Sequence, residues 1–288
     1  MPLSFATLYG NIGFTGLVND KEVSLFKSIQ DGEDNIKRVI EGVDLVKDME
    51  SLSVWASLYG YQDMGSLITN SPYYIGAGVK GSLLSDIYYT VRGNFKTGVS
   101  PYTKTGEETV ESALILAGMG AFSIDWYMNI DKDIIRMLTP SMSLNIGISS
   151  GDSDLDDVQL GSNSDEALES ISLYSPMGAS GPGVVYSTSN QNLLYIKYVG
   201  SVAPFKTLQV QLESALFMRT VSGVSGNSDV MSDATGNYLG TEVSVSANYR
   251  PFSDLGISVS GGMFIPNKDV MTSGDPTGML TAYVSLSL

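Results

Sequence analysis

Between Tyr238 and Leu288 the sequence alternates apolar and small polar residues with period two, through three successive segments. In the segment 238–249, Thr241, Val243, Val245 and Ala247 fall on one face, and Glu242, Ser244, Ser246 and Asn248 on the other. After Arg250-Pro251-Phe252-Ser253-Asp254, the segment 255–265 sets Ile257, Val259 and Met263 against Ser258, Ser260 and Gly262. A polar loop follows, and 279–288 sets Leu280, Ala282, Val284, Leu286 and Leu288 against Thr281, Tyr283, Ser285 and Ser287. Side chains of a strand point alternately to its two faces, so this pattern predicts strands with one apolar and one polar face. A soluble β-sandwich gives the same alternation with its apolar faces turned inward. Two features favour a membrane barrel instead. The polar faces carry hydroxyl, amide and glycine residues rather than Lys and Glu, and the segments have about the 9–11 residues that cross a bilayer when tilted.

The rest of the composition agrees. Hydrophobic residues make up 43% of the 288, yet no run approaches the ~20 apolar residues of a membrane helix. Only 16% of residues are charged, below the ~25% usual in soluble domains. A barrel spreads its hydrophobicity over alternate positions and produces this combination. The net charge of −15 argues against nucleic acid as a partner, because binding to phosphates needs a basic footprint. Without Cys or His there are no disulfides, thiol nucleophiles, imidazole bases or zinc-thiolate sites. The opening Met1-Pro2-Leu3-Ser4 lacks a signal peptide's basic and apolar regions, so the expectation is a mature chain or a piece lacking its start.

Along the chain, Ser4–Phe14 alternates and reads as a strand, and residues 16–35 read as a long loop. Ile36–Val46 fits a helical stripe as well as a strand; as a strand it would carry Asp44, with Glu41 or Arg38, on the lipid side. The strand is favoured, because 47–51 then turns directly into the clear strand Leu52–Gln62. Further strands are expected at Tyr73–Leu84, Ile87–Gly98, Ser112–Tyr127, Ile134–Ile148, Leu193–Val202 and Leu208–Val221, followed by the three described first. Short links (85–86, 128–133, 203–207, 250–254) alternate with longer ones (63–72, 99–111, 149–192, 222–237, 266–278). Short links on one side and long ones on the other are the signature of an outer-membrane barrel, with short periplasmic turns and longer external loops. Tyr73, Tyr74, Trp126, Tyr127, Tyr249 and Phe252 fall near expected strand ends, where interfacial aromatic belts form. The expected fold is one all-β domain over 1–288, a transmembrane antiparallel up-and-down β-barrel of about twelve strands, within a range of about 10–14.

If apolar positions face lipid, the opposite parity lists the lumen. Its charged members are Lys80, Arg92, Lys96, Lys197 and Arg219, against Asp125, Glu213 and Glu242. Thr139, Ser141, Ser143, Asn145, Gln209, Gln211 and Asn248 are among its polar members. Charged rings select ions by sign, and a basic lumen in an acidic chain points to anionic or polyhydroxyl solutes, with Lys80, Arg92 and Lys96 as the charged constriction. The alternative is a closed interior in which these groups pair, with Arg219 and Arg250 reaching Glu213 and Glu242. Acidity concentrates in the loop 151–170, which holds seven carboxylates and no Lys or Arg. Asp152-x-Asp154-x-Asp156 has the start of a calcium-loop spacing, but Asp157 and Asn163 stand where Gly and Glu are required, so an EF-hand fails. A weak divalent-cation bridge from this loop to anionic lipid headgroups and a plain solvated loop both stay open.

Tyr238-Leu239-Gly240-Thr241-Glu242-Val243, Tyr249-Arg250-Pro251 and Gly261-Gly262-Met263-Phe264-Ile265-Pro266 resemble the closing strands of alginate-export-type outer-membrane barrels, and Ser150-Gly151-Asp152 is similar to the opening of a long external loop in that family. The resemblance covers the C-terminal strands and that tripeptide. It implies an envelope channel for anionic polysaccharide or small solutes. The family's barrels are larger, with a more basic lumen, and end on an aromatic where this sequence has Leu288. The sequence therefore leads to these expectations: a porin-like channel in the bacterial outer membrane, passing small or anionic solutes, without catalysis, metal or organic cofactor. Its expected partners are membrane lipid or lipopolysaccharide, the solute, and the outer-membrane assembly machinery. A plugged barrel with a structural or adhesive role through its acidic loops is the alternative, and a soluble ligand-binding barrel a third reading.

Overall fold

The computed structural model describes residues 15–18, 21–24, 38–63, 72–103, 110–129, 138–151, 170–171, 182–186, 191–222, 229–231 and 234–286. Among them fourteen strands run in chain order: β1 Thr15–Val18, β2 Lys21–Ser24, β3 Arg38–Asp48, β4 Leu52–Asp63, β5 Tyr73–Leu84, β6 Ile87–Thr103, β7 Val110–Tyr127, β8 Ser141–Ser149, β9 Ser170–Ile171, β10 Leu194–Phe205, β11 Leu208–Met218, β12 Tyr238–Phe252, β13 Leu255–Pro266 and β14 Thr277–Leu286. Eleven of these have nine residues or more. They answer to eleven of the expected segments, and Ser4–Phe14 lies outside the described residues. No helix among the described residues is long and apolar enough to cross a membrane.

The chain forms two compact units, one within residues 1–80, 92–119 and 154–173, the other within 81–91, 120–153 and 174–288. Hydrogen-bonded neighbours follow the order β2-β1-β3-β4-β5-β6-β7 in the first, where β9 also lies parallel to β7 at Leu114↔Ser170 and Ile115↔Ile171. In the second the order is β5-β6-β7-β8-β10-β11-β12-β13-β14, a meander of sequential neighbours. Its ladders are long and antiparallel, as in β11 with β12 from Leu208↔Tyr249 to Met218↔Tyr238.

The faces are inverted relative to a water-soluble sheet. On β12, Val243 and Val245 are 47% and 51% exposed, while Glu242 and Ser244 between them are 2% and 4% exposed. On β13, Val259, Met263 and Ile265 are exposed and Ser258 is buried. Val43 and Leu45 on β3, and Tyr73 and Ile75 on β5, repeat the pattern. A soluble sandwich would bury these apolar rows. On these strands the polar row is covered and the apolar row faces out, the arrangement a strand needs when its solvent is lipid, whereas β14 is exposed on both faces. Among the described residues the strands form an up-and-down sheet, antiparallel apart from the short β7–β9 pair, in the order expected of an outer-membrane β-barrel wall.

Glycines on the polar face make room for aromatic rings from neighbouring strands. Tyr59 lies across Gly42, its direct ladder partner, and Tyr195 across Gly147 in the same way. Each ring occupies the volume a Cβ would take, so a larger residue at either glycine would expel it.

Several expectations need correction. The region 16–35 is not all loop, because it contains most of β1 and the whole of β2. Asp44 does not face lipid: Val43 and Leu45 take that side, and the Tyr59 hydroxyl donates to the Asp44 carboxylate on the other. Tyr74 likewise turns to the covered face, while Tyr73, Trp126, Tyr127, Tyr249 and Phe252 stay exposed. Of the strand expected at 134–148, residues 134–137 lie outside the described residues, 138–140 are not strand, and the described strand runs from Ser141. Thr139 sits before it at φ 38°, next to Pro140, and is not a lumen position. The links 49–51, 85–86, 206–207 and 253–254 are short, as expected.

Candidate functional site

The polar face of β10–β13, at the end where the long links emerge, is covered by those links. Three of them fold onto it. Residues 182–186, within the link between β8 and β10, lie against β12. Their backbone amides converge on one side chain: Val184 N–H donates to Glu242 Oε1 at 2.6 Å, and Val185 and Tyr186 N–H donate to Oε2 at 3.0 and 2.7 Å. A carboxylate holding three such donors is a strong anchor, because charge-assisted hydrogen bonds are worth about twice neutral ones. Tyr186 then stacks on Phe264 at 4.5 Å between ring centroids and meets Phe217 edge-on at 5.2 Å. Gly183 makes the approach possible, because a Cβ there would stand 2.7 Å from Glu242 Oε2 and 3.1 Å from the Phe217 ring.

The second link, after β11, is held by Arg219. Its backbone amide donates to Asn237 O at 2.6 Å and its guanidinium to the carbonyls of Ala234 and Gly236. Burial of this side chain pulls the guanidinium below its ordinary pKa. The third link, after β13, joins the second through the bridge Val230↔Met271 and the bond from Met231 N–H to Val270 O at 2.9 Å. Val230, Ala234, Val270 and Met271 form one apolar cluster with Tyr186, Leu193, Phe217, Leu239 and Phe264. Tyr186, Phe264 and Met271 of this cluster also border a cavity of about 280 Å³, together with Val185, Asp229 and Asp275.

A clasp closes the base of the longest link. Asn192, buried and at φ 47°, accepts from the amides of Thr220 and Val221 at 3.1 and 2.9 Å and donates to Val221 O at 2.9 Å. Ser149 and Leu193 exchange backbone and hydroxyl bonds across it. Asn is among the few residues that adopt this left-handed conformation readily.

The expected site residues separate into engaged and exposed groups. Asp125 on β7 accepts the Ser143 hydroxyl at 2.5 Å. Lys197 on β10 pairs with Glu213 on β11 at 3.3 Å, and Gln211 donates to the other Glu213 oxygen at 2.7 Å. Among the described residues no ion pair joins Glu213 or Glu242 to Arg219 or Arg250, where the closed-interior alternative expects one. Arg250 lies eight residues along β12 from Glu242, roughly 26 Å at the rise of a strand. Lys96 on β6 is buried, with its ammonium 5.9 Å from the centre of the Tyr74 ring. Lys80 on β5 and Arg92 on β6 are exposed. The acidic stretch 152–169, with its Asp152-x-Asp154-x-Asp156 spacing, lies outside the described residues.

At the short-turn end of the second unit is a recess of about 540 Å³, bordered by Lys206, Arg250, Gln209, Asn248, Ser258 and Tyr283, with no carboxylate among the described residues of its lining. Sequence reading missed this recess and the cap. The signal for the cap was present in Phe217 and Phe264, which share parity with the polar rows Gln209–Glu213 and Ser258–Gly262. Large rings on a polar face at the long-link end mark where links fold inward.

No family model matches the chain, and no curated protein does. Among solved structures it is similar to the NanC porin, at TM-score 0.37 and 8% sequence identity, over 88% of this chain and 94% of that one.

Proposed function

We propose that the chain is an outer-membrane channel for small anionic solutes, closed as a single barrel and placed in a bacterial outer membrane. One observation carries the reading. The acidic candidates on the polar face are engaged, Asp125 by Ser143, Glu213 by Lys197 and Glu242 by backbone amides. Lys80, Arg92, Lys206 and Arg250 pair with no carboxylate among the described residues. Hydrogen bonds leave Asp125 and Glu242 charged, so the field toward a passing ion is set by number: Lys80, Arg92, Lys96, Lys197 and Arg219 against Asp44, Asp125, Glu213 and Glu242, a small basic excess although the chain carries −15 overall. The resemblance of the C-terminal strands to alginate-export-type barrels is in the same direction, toward an anionic cargo. No step calls for a nucleophile, metal or cofactor.

The test is single-channel conductance of refolded protein in a planar bilayer under a salt gradient. The expected result is steady conductance with an anion-selective reversal potential. That potential moves toward zero in Lys80→Gln and Arg92→Gln. Cation selectivity, or no response to either substitution, would refute the assignment. The inward-folded links favour a second reading, a plugged barrel with an adhesive or structural role. Heat-modifiable, detergent-requiring protein that never conducts would establish that one.

A further inference from the structure

We propose that residues 182–186 form a strap that narrows the path over the polar face of β11–β13, and that Glu242 is its positioning residue. The inference rests on the channel reading and gives Glu242 a role different from an ion-attracting lumen charge. Its carboxylate is 2% exposed and is occupied by the amides of Val184, Val185 and Tyr186. A group so enclosed makes no direct contact with a passing ion. It controls the path by holding backbone in it.

The surroundings are fitted to the strap. Gly183 leaves room for Glu242 and Phe217, and on β13 the missing Cβ of Gly262 would stand 3.0 Å from Val185 Cγ2. The stacked Tyr186 and Phe264 rings, with Phe217 across their edges, close an apolar contact beside the ionic one. Anchor and seal come from three strands, Phe217 on β11, Glu242 on β12 and Phe264 on β13. The strap therefore crosses the face of the sheet and does not extend one of its edges.

The test compares wild type with Glu242→Ala and Gly183→Ala, by single-channel conductance and by hydrogen exchange at residues 184–186. Glu242→Ala removes the acceptor. Gly183→Ala displaces the strap with Glu242 intact, and it decides alone if Glu242→Ala fails to give heat-modifiable protein. The expected result is exchange faster by about tenfold or more in both variants, with higher conductance in both, including the case of a silent wild type and conducting variants. A direct ionic role predicts something else: a shifted reversal potential in Glu242→Ala that Gly183→Ala does not reproduce, which overturns the proposal. Unchanged exchange in Glu242→Ala overturns Glu242 as the anchor. Faster exchange with unchanged conductance in a conducting wild type places the strap outside the path and leaves the channel reading standing. Silence of all three proteins removes the channel and the strap's role together.

Discussion

At the scale of single residues, the polar face is organised by where each carboxylate finds its donors. Lys197 is the ladder partner of Ala215, and Glu213 lies diagonally across at the partner of Val199, still within reach of a long side chain. The pair is mostly buried, and Gln211 takes the second Glu213 oxygen. Removing Lys197 would leave a partly buried carboxylate one donor short. Lys197→Ala is therefore expected to cost about 1–3 kcal/mol in urea unfolding and to shift the reversal potential toward cations. Lys197→Ala combined with Glu213→Ala should restore most of both, as a double-variant cycle would show. Phe217, with no exposed surface, anchors the cap, and Phe217→Ala should lose about 3–5 kcal/mol in the same measurement. Parity in the sequence was enough to put Lys197, Glu213 and Glu242 on the polar face. It could not pair them, because the Lys197–Glu213 contact depends on the register between two strands. Glu242's partners are backbone amides up to 58 residues away, which leave no trace in side-chain pattern.

At the scale of elements, legibility followed strand length. β5 was read with both ends correct, and β12 and β13 began where expected, because ten or more alternating positions leave little doubt about period. β1 and β2 have four residues each, too few for alternation to stand out from a loop, and β9 has two. Within the described residues, 138–140 stand outside β8, where Pro140 marks the break by lacking a ladder donor. The orientation of the strands is a stronger matter and can be tested on β12. Val245 is at the centre of that strand and half exposed, and Ser246 is its neighbour on the other face. A lysine facing the bilayer midplane costs about 2–4 kcal/mol, whereas one on a lumen face costs little. Val245→Lys should therefore lower refolding stability in lipid by about that amount, with Ser246→Lys within about 0.5 kcal/mol of wild type. Equal tolerance of the two would mean that the outward face of β12 meets water.

At the scale of the whole molecule, the question is which solvent the apolar rows require. Val43, Leu58, Ile75, Val91, Leu212, Val245, Ile265 and Val284 are all more than two-fifths exposed, and they come from eight different strands. A monomeric soluble protein rarely leaves contiguous apolar area beyond a few hundred Å² uncovered. Only 16% of the residues are charged, too few to keep such a surface dispersed in buffer. Composition made this much legible, through the small hydroxyl and glycine residues opposite each apolar row. The protein should therefore stay monodisperse in detergent and precipitate when detergent is removed. A sheet whose backbone bonds run between strands resists detergent until it is heated. The unheated protein should accordingly migrate differently from the boiled one in gel electrophoresis, with β-type circular dichroism retained up to the temperature of that shift. A sample that is monodisperse without detergent, and migrates alike before and after boiling, would instead require the apolar rows to be covered by protein. In that case the inward cap would have to be read as the wall of a soluble binding cavity.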